Sequence, residues 1–452
     1  MTGPIGRRGL IWAAIVAALL TEGPPAAAQQ DSLDLAAALR LARERSPSLR
    51  AAAAAVRAAE GGATVARSAR LPRLSAEGLY LRYESPPEAS LGALGAYSPI
   101  AENTYAAGVF ARQPLYSSGR ITAGIDAARS SVQAAELARD QALVDVTAVV
   151  AQAHHDVLLA RELERVAEKS VAVLSRAVDL ARAHYEEGTV SRLDVLRAET
   201  RLSSATAALR RATTARAAAR EVLAAAVGLD PAEAPPVRGD LTSEGLVESA
   251  LEDAAVVAST SRGGPSVRAQ AAAADAARSL AEAARAGRRP AVGLFVAGLT
   301  SQPELVTGDD HWGFELAAGV SVSWALYDGG AASGKAAGYE AEAERLTAEA
   351  TQERLSTEAA ALAQKRQMER ARADVATAVE NIDRAERALA IAEERYAEGV
   401  GLQLEVLEAE ADLTAVRGEL ARAIHAHHSA NTALLRAMGL AADALLTGTE
   451  RR

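Results

Sequence analysis

Cysteine is absent from the 452 residues of this chain, so it forms no disulfide and carries no N-terminal lipid-bearing cysteine. Aromatic residues are scarce, at 3% against a hydrophobic content of 49%, and alanine makes up most of the difference. A large globular core would draw on Phe, Ile and Leu. Alanine instead favours helix and lets helices approach closely, so long helices packed at short distance are expected. Beyond the N-terminal region no stretch reads as long and apolar enough for a transmembrane helix. A basic excess is missing as well: the formal net charge is −9, which argues against a nucleic-acid partner.

What is present begins with a basic start at Arg7-Arg8, an apolar run from Leu10 to Leu20 and a small-residue end at Pro24-Pro-Ala-Ala-Ala28. These are the three parts of a secretory signal peptide, and the run is too short for an ordinary membrane span. Residues 1–28 are therefore expected to be a signal peptide cleaved after Ala28; the arginine pair lacks the usual context of the twin-arginine route. An exported chain without a membrane helix is either soluble outside the cytoplasm or inserts as a β-barrel.

The stretch Tyr185-Glu-Glu-Gly-Thr-Val-Ser-Arg-Leu-Asp-Val-Leu-Arg-Ala-Glu199 returns as Tyr396-Ala-Glu-Gly-Val-Gly-Leu-Gln-Leu-Glu-Val-Leu-Glu-Ala-Glu410. Tyr185 and Tyr396, Gly188 and Gly399, Leu193 and Leu404, and Leu196 and Leu407 all stand 211 residues apart. Leu115-Tyr116 and Gly119 keep that offset with Leu326-Tyr327 and Gly330. Two copies of one unit are expected, at 29–240 and 241–452.

Each copy reads alike. A helix begins at Pro47 or Pro265, with proline in the first turn where its missing N–H costs nothing. A hairpin follows, with strands at about 73–84 and 104–116 in one copy and 291–302 and 312–327 in the other. These strands match the roughly 9–11 residues that cross a bilayer in a tilted barrel. Eleven of the 3 Trp, 9 Tyr and 3 Phe lie in or beside the hairpins, which fits the aromatic girdles of a membrane barrel as well as the preference of aromatics for strands. Helices of about 65 residues are predicted from Arg120 to His184 and from Ala331 to Arg395, roughly 100 Å each at 1.5 Å per residue. Ile121, Ile125, Ala128, Val132 and Ala135, and again Val146, Val150, Ala153, Val157 and Ala160, are spaced as a coiled-coil seam. Turns at 185–192 and 396–403 send the chain back, and the segments from Asp230 to Gly263 and after Leu440 are expected to form a collar.

Signal peptide, duplication, one hairpin per copy, very long helices and the Tyr-x-x-Gly…Leu-[Asp/Glu]-Val-Leu-x-Ala turn together closely resemble the TolC-like outer membrane efflux protein family. The resemblance covers essentially the whole mature chain, including Leu33-Asp-Leu-Ala-Ala-Ala-Leu before Ser46-Pro47. It implies a mainly α fold with a small β part: a homotrimer whose duplicated long-helix hairpins form a periplasmic α-barrel and whose strands form a 12-stranded outer membrane β-barrel in contact with lipid. The implied function is a passive exit duct with no enzymatic step and no cofactor. Its implied partners are a periplasmic adaptor protein and an inner membrane pump of RND, ABC or MFS type. Matched residue by residue, Gly188, Thr189 and Val190 with Gly399, Val400, Gly401 and Leu402 would be the adaptor-docking turns. Asp194, Tyr396, Glu405 and Glu408 would form the periplasmic gate. The family's tip arginine is replaced here by Gly401, with Arg192 and Arg197 as the candidate substitutes. On spacing alone, Asp194, Glu405 and Glu408 read as a solvated helix face.

Two motifs lead elsewhere. Gly329-Gly-Ala-Ala-Ser-Gly334-Lys335 fits a phosphate loop, but Ala336 stands where a Ser or Thr must bind Mg²⁺, so a Gly-rich strand-to-helix joint is expected. His154-His155 and His425-Ala-His427-His428 offer one pair on a shared helix face, too few for a metal site, so solvated histidines are expected and no metal. Beside efflux of drugs, toxic compounds or metals stand two alternatives: a type I protein secretion exit, and an exported coiled-coil structural or adhesion protein.

Overall fold

Local sequence rules fix most element boundaries. In the computed structural model, which describes residues 33–85, 89–90, 96–97, 102–242, 253–261, 263–302 and 311–442, the Asp34 carboxylate accepts the Ala37 N–H at 2.6 Å and starts α1 (Leu35–Arg45). Pro47 ends that helix, because the residue before proline disfavours the α region, and opens α2 (Pro47–Ser68). Strands β1 (Arg73–Arg82) and β4 (Asn103–Tyr116) flank the short pair β2 (Ala89–Ser90) and β3 (Ala96–Tyr97). Then come α3 (Arg120–Glu186), α4 (Arg192–Val227) and a 3₁₀ turn at Pro231–Glu233. The same order returns: α5 (Asp253–Ser261), α6 (Pro265–Ala286), β5 (Ala291–Gln302), β6 (Gly313–Ser323), α7 (Ala331–Ala397) and α8 (Gln403–Ala437). The signal peptide and loop residues Pro86 and Pro87 lie outside the described residues.

Packing cuts across the duplication. One compact unit comprises Met1–Pro47, Leu143–Val256 and Ala360–Arg452 as far as they are described; the other comprises Ser48–Ala142 and Val257–Ala359.

In the first unit, Leu39, Ala42, Val150, Val157, Leu223 and Val227 form a buried cluster. The second seam of α3 supplies Val150, Ala153 and Val157, at most 4% exposed. Residues 230–240 of the expected collar pack here: Leu33 bridges Val237, and Arg161 reaches Asp240 at 2.9 Å and the Gly239 carbonyl. Residues 243–252 and those after 442 lie outside the described residues. An 18-residue window of α3 does meet the length and hydropathy of a membrane span, against expectation, but 56% of it is buried among other helices. A core helix gives the same signal.

The second unit holds a four-stranded antiparallel sheet of order β1-β4-β5-β6 beside α2 and α6. Every buried residue of α6 is an alanine: 272, 274, 276, 277, 281 and 286. Strand β6 stops at Ser323, short of the predicted Tyr327. Ser323 pairs with Ala291, the first residue of β5, so residues beyond it face Arg288-Arg289-Pro290 rather than a strand. The Trp324 indole instead donates to the Arg288 carbonyl at 3.0 Å.

Candidate functional site

The predicted tip lies within the first unit, where α3 turns into α4 and α7 into α8. Both turns use one device. Gly188 and Gly399 sit at φ +77° and +75°, the left-handed conformation glycine adopts without penalty at a helix end. Thr189 N–H then donates to the His184 carbonyl at 2.9 Å, and Val400 N–H to that of Arg395 at 3.0 Å. Gly188, Thr189, Gly399, Val400 and Leu402 are exposed, and Val190 and Gly401 half-buried.

Gly401 differs from its neighbours. A Cβ there would lie 2.9 Å from the Arg395 Cβ and 3.0 Å from the Tyr396 nitrogen, so the family's arginine does not fit this turn as it stands. Gly401→Ala is expected to destabilise the tip by about 1–3 kcal/mol through overpacking. Gly334→Ala, inside α7 with nothing within 4 Å, should stabilise by up to about 1 kcal/mol. Urea unfolding midpoints of the two variants check these opposite signs.

Among the expected gate residues, Asp194 is occupied locally. Its Oδ2 accepts the Ser191 N–H at 3.1 Å and the Ser191 hydroxyl at 2.8 Å, closing the first turn of α4 as a capping box. Arg197 approaches it at 3.8 Å, while Arg192 is exposed. Glu405, in the first turn of α8, pairs with Arg395 at 3.3 Å, and Glu408 is exposed. Tyr396 is 4% exposed and meets His184 edge-on with ring centres 5.4 Å apart. Burial, and then the Asp194 charge, raise its hydroxyl pKa.

The sequence reading named several residues of this region but not the groove they form. Leu193, Leu196, Arg197, Thr200, Arg201, Leu404 and Leu407 line a groove of about 400 Å³. Leu193, Leu196 and Leu404 are 53%, 49% and 44% exposed, and their recurrence at the 211-residue offset was the available signal. Gln403 and Glu410 are buried, and the Tyr396 hydroxyl, Gln403 Nε2 and Glu410 Oε2 have no hydrogen-bond partner among the described residues.

The histidines correct the solvated reading. His154, His155 and His427 are 4%, 6% and 1% exposed, and the His155 and His428 rings lie 4.9 Å apart. His425 instead reaches Asp156 at 2.6 Å. Desolvation first, then neighbouring histidines, lowers the pKa of His155 to about 3 and of His428 to about 4. The misreading arose because α3 and α8 cover each other at this level, which single-helix spacing does not show. Among the described residues no three His, Asp or Glu side chains are grouped to hold a metal ion.

In the second unit the register separates two unlike sheet faces. One carries Leu74 and Val109, then Val296, Leu316, Val320 and Val322, with Tyr80 beside Tyr105 and Phe314 toward the hairpin ends. Leu74, Phe314, Leu316, Val320 and Val322 are 63–74% exposed. The other face carries Arg73, Ser75, Glu77, Arg112, Glu315 and Ser321, with Leu79, Phe110, Phe295 and Leu299 among them. The Gly329–Lys335 stretch is a helix start, as expected: Asp328 accepts the N–H groups of Gly330 at 3.0 Å and Ala332 at 2.9 Å.

The profile of a family described as outer membrane efflux protein matches residues 38–229 and 260–440. Protein CyaE of Bordetella pertussis is 28% identical over 397 residues, 87% of this chain and 81% of that protein. Outer membrane efflux protein BepC of Brucella suis is 28% identical over 437 residues, 95% of this chain and 91% of that protein. The outer membrane protein VceC of Vibrio cholerae has the same fold, with a TM-score of 0.74 at 21% identity over 90% of this chain and 96% of that one.

Proposed function

The chain belongs to the outer membrane efflux protein family and is an outer membrane efflux channel, and we propose that it works as a homotrimer in a tripartite pump. One observation carries the assembly of several copies: the sheet has four strands with both outer edges, β1 and β6, unpaired within the described chain. Four strands cannot close a membrane barrel, for which eight is about the minimum. The even strand count leaves β1 and β6 antiparallel, so β6 of one copy pairs with β1 of the next in the pattern of the rest of the sheet. Three copies give twelve strands. The apolar face meets lipid and the polar face lines the passage.

The helical tip is the docking end. Exposed Val400 and Leu402, at 68% and 66%, and the leucine groove between α4 and α8 offer an apolar surface to the helical hairpin of a periplasmic adaptor. An inner membrane pump of RND, ABC or MFS type supplies the energy. Asp194, Tyr396, Glu405 and Glu408 act as the gate, three copies each of Glu405 and Glu408 ringing the entrance and drawing cations. Cargo moves by gated diffusion with no bond chemistry.

A single cysteine at Val400, bearing a photo-crosslinker in cells of the source organism, tests the tip. Capture of an adaptor of drug- or metal-efflux type is expected. An ABC-linked adaptor would redirect the reading to protein secretion, and capture of no periplasmic partner by an intact trimer would overturn the tip assignment.

A further inference from the structure

We propose that the polar face of the sheet carries, at its helix-proximal end, a binding pocket for organic anions, a carboxylate or sulfonate on an aromatic body, centred on Arg112. The pocket rests on the channel reading for its place in the passage and on the register for its chemistry. Arg73 and Arg112 stand directly opposite each other on β1 and β4, an arrangement that costs stability when like charges have no counter-ion. Both are exposed, and none of the ion pairs among the described residues reaches either. Glu77, the acid on the same face of β1, pairs in register with Gly108, four residues or about 13 Å along the strand from Arg112.

A cavity of about 570 Å³ opens beside Arg112, on the side away from β1 and Arg73, lined by Arg112, Arg120, Phe110, Phe295, Ser321 and Ser323 among others. Strands β4 and β5 line it with residues of both parities, Val292, Leu294 and Val296 included, but β6 contributes Ser321 and Ser323 and neither Val320 nor Val322, and it is β6 that puts the cavity on the polar face. Phe295 lies opposite Arg112 and packs over Gly319, where a Cβ would come within 2.9 Å of its ring. Two arginines, Arg112 and Arg120, lining one cavity with Phe110, Phe295, Ser321 and Ser323, make the combination that holds an oxyanion by charge-assisted hydrogen bonds while its ring is desolvated. The volume suits a ligand of drug size.

Naphthalene-1-sulfonate serves as the probe, titrated by calorimetry into the full-length detergent-solubilised protein. Saturable binding is expected, at least tenfold weaker in Arg112→Gln and intermediate in Arg112→Lys, which keeps the charge but not the planar fork. An unchanged heat-resistant oligomer confirms that the variants are folded. No saturable binding, or equal binding by wild type and Arg112→Gln, overturns the pocket. Planar-bilayer conductance of the same preparation reads the channel separately. Protein that conducts without binding the probe overturns the pocket alone; protein that binds but does not conduct overturns the channel reading, and with it the pocket's role in transit.

Discussion

An arginine at Ala318 is expected to abolish stable outer membrane assembly, while an arginine at Ala317 is expected to be tolerated. The two alanines are neighbours at the centre of β6 (Gly313–Ser323), and both are exposed. Only parity separates them. Ala318 pairs with Val296 and shares a face with Leu316, Val320 and Val322, whereas Ala317 pairs with Ala297 and shares a face with Glu315 and Ser321. Because side chains alternate along a strand, in the proposed barrel the first faces acyl chains and the second the aqueous passage. A cationic side chain on the lipid face near the bilayer midplane costs about 2–4 kcal/mol, and three copies raise that to roughly 6–12 kcal/mol, comparable with the whole stability of a typical folded protein. On the passage face the same side chain stays hydrated. Recovery of heat-resistant oligomer from purified outer membranes measures both variants. Equal recovery would mean that this assignment of the lipid and passage faces is wrong.

That parity was only partly legible in the sequence. The strands could be placed because aromatics and loose alternation cluster between Gly- and Pro-rich loops, and the starts of β1 and β5 fall where expected. Which face is apolar depended on pairing register, since Ala and Gly fill so many strand positions that alternation within one strand is weak. The long helices were legible to within two residues, because α3 and α7 contain no proline and end at the repeated glycine. Tertiary contacts account for what was missed. Nothing local distinguishes the buried Glu410 from its counterpart Glu199, which pairs with Arg182, until the opposing helix is known. Asp194 likewise reads as a gate acid by resemblance, and only the Ser191 contacts reveal its capping role. The tip turns themselves were readable from positive-φ glycines, a rule confined to a few residues.

Acidification is expected to weaken the helical unit well before its carboxylates titrate, and the histidine core is the reason. Above pH 6.5, His155 and His428 are neutral in both folded and unfolded chains, so stability is insensitive to pH. Below it, unfolded histidines take up protons that the folded ones refuse until about pH 3 for His155 and about pH 4 for His428, so stability falls through that window. At pH 5 each lowered pKa costs about 2 kcal/mol, which together shift the melting temperature down by roughly 10 °C for a unit of this size. His154 is lowered in the same direction, chiefly by burial. Asp156 behaves differently. Burial pushes its pKa up, but hydrogen bonds from His425 and Gln152 outweigh that and hold it below the ordinary carboxylate value. Its contribution is therefore present above that value and lost only below about pH 4, outside the comparison. Melting followed by circular dichroism at pH 7.5 and pH 5.0 gives the wild-type loss, and the double variant His155→Gln/His428→Gln should keep less than half of it, whatever the substitutions cost at pH 7.5. An undiminished loss in that variant would assign the acid sensitivity to another part of the chain and remove the histidine core as its source.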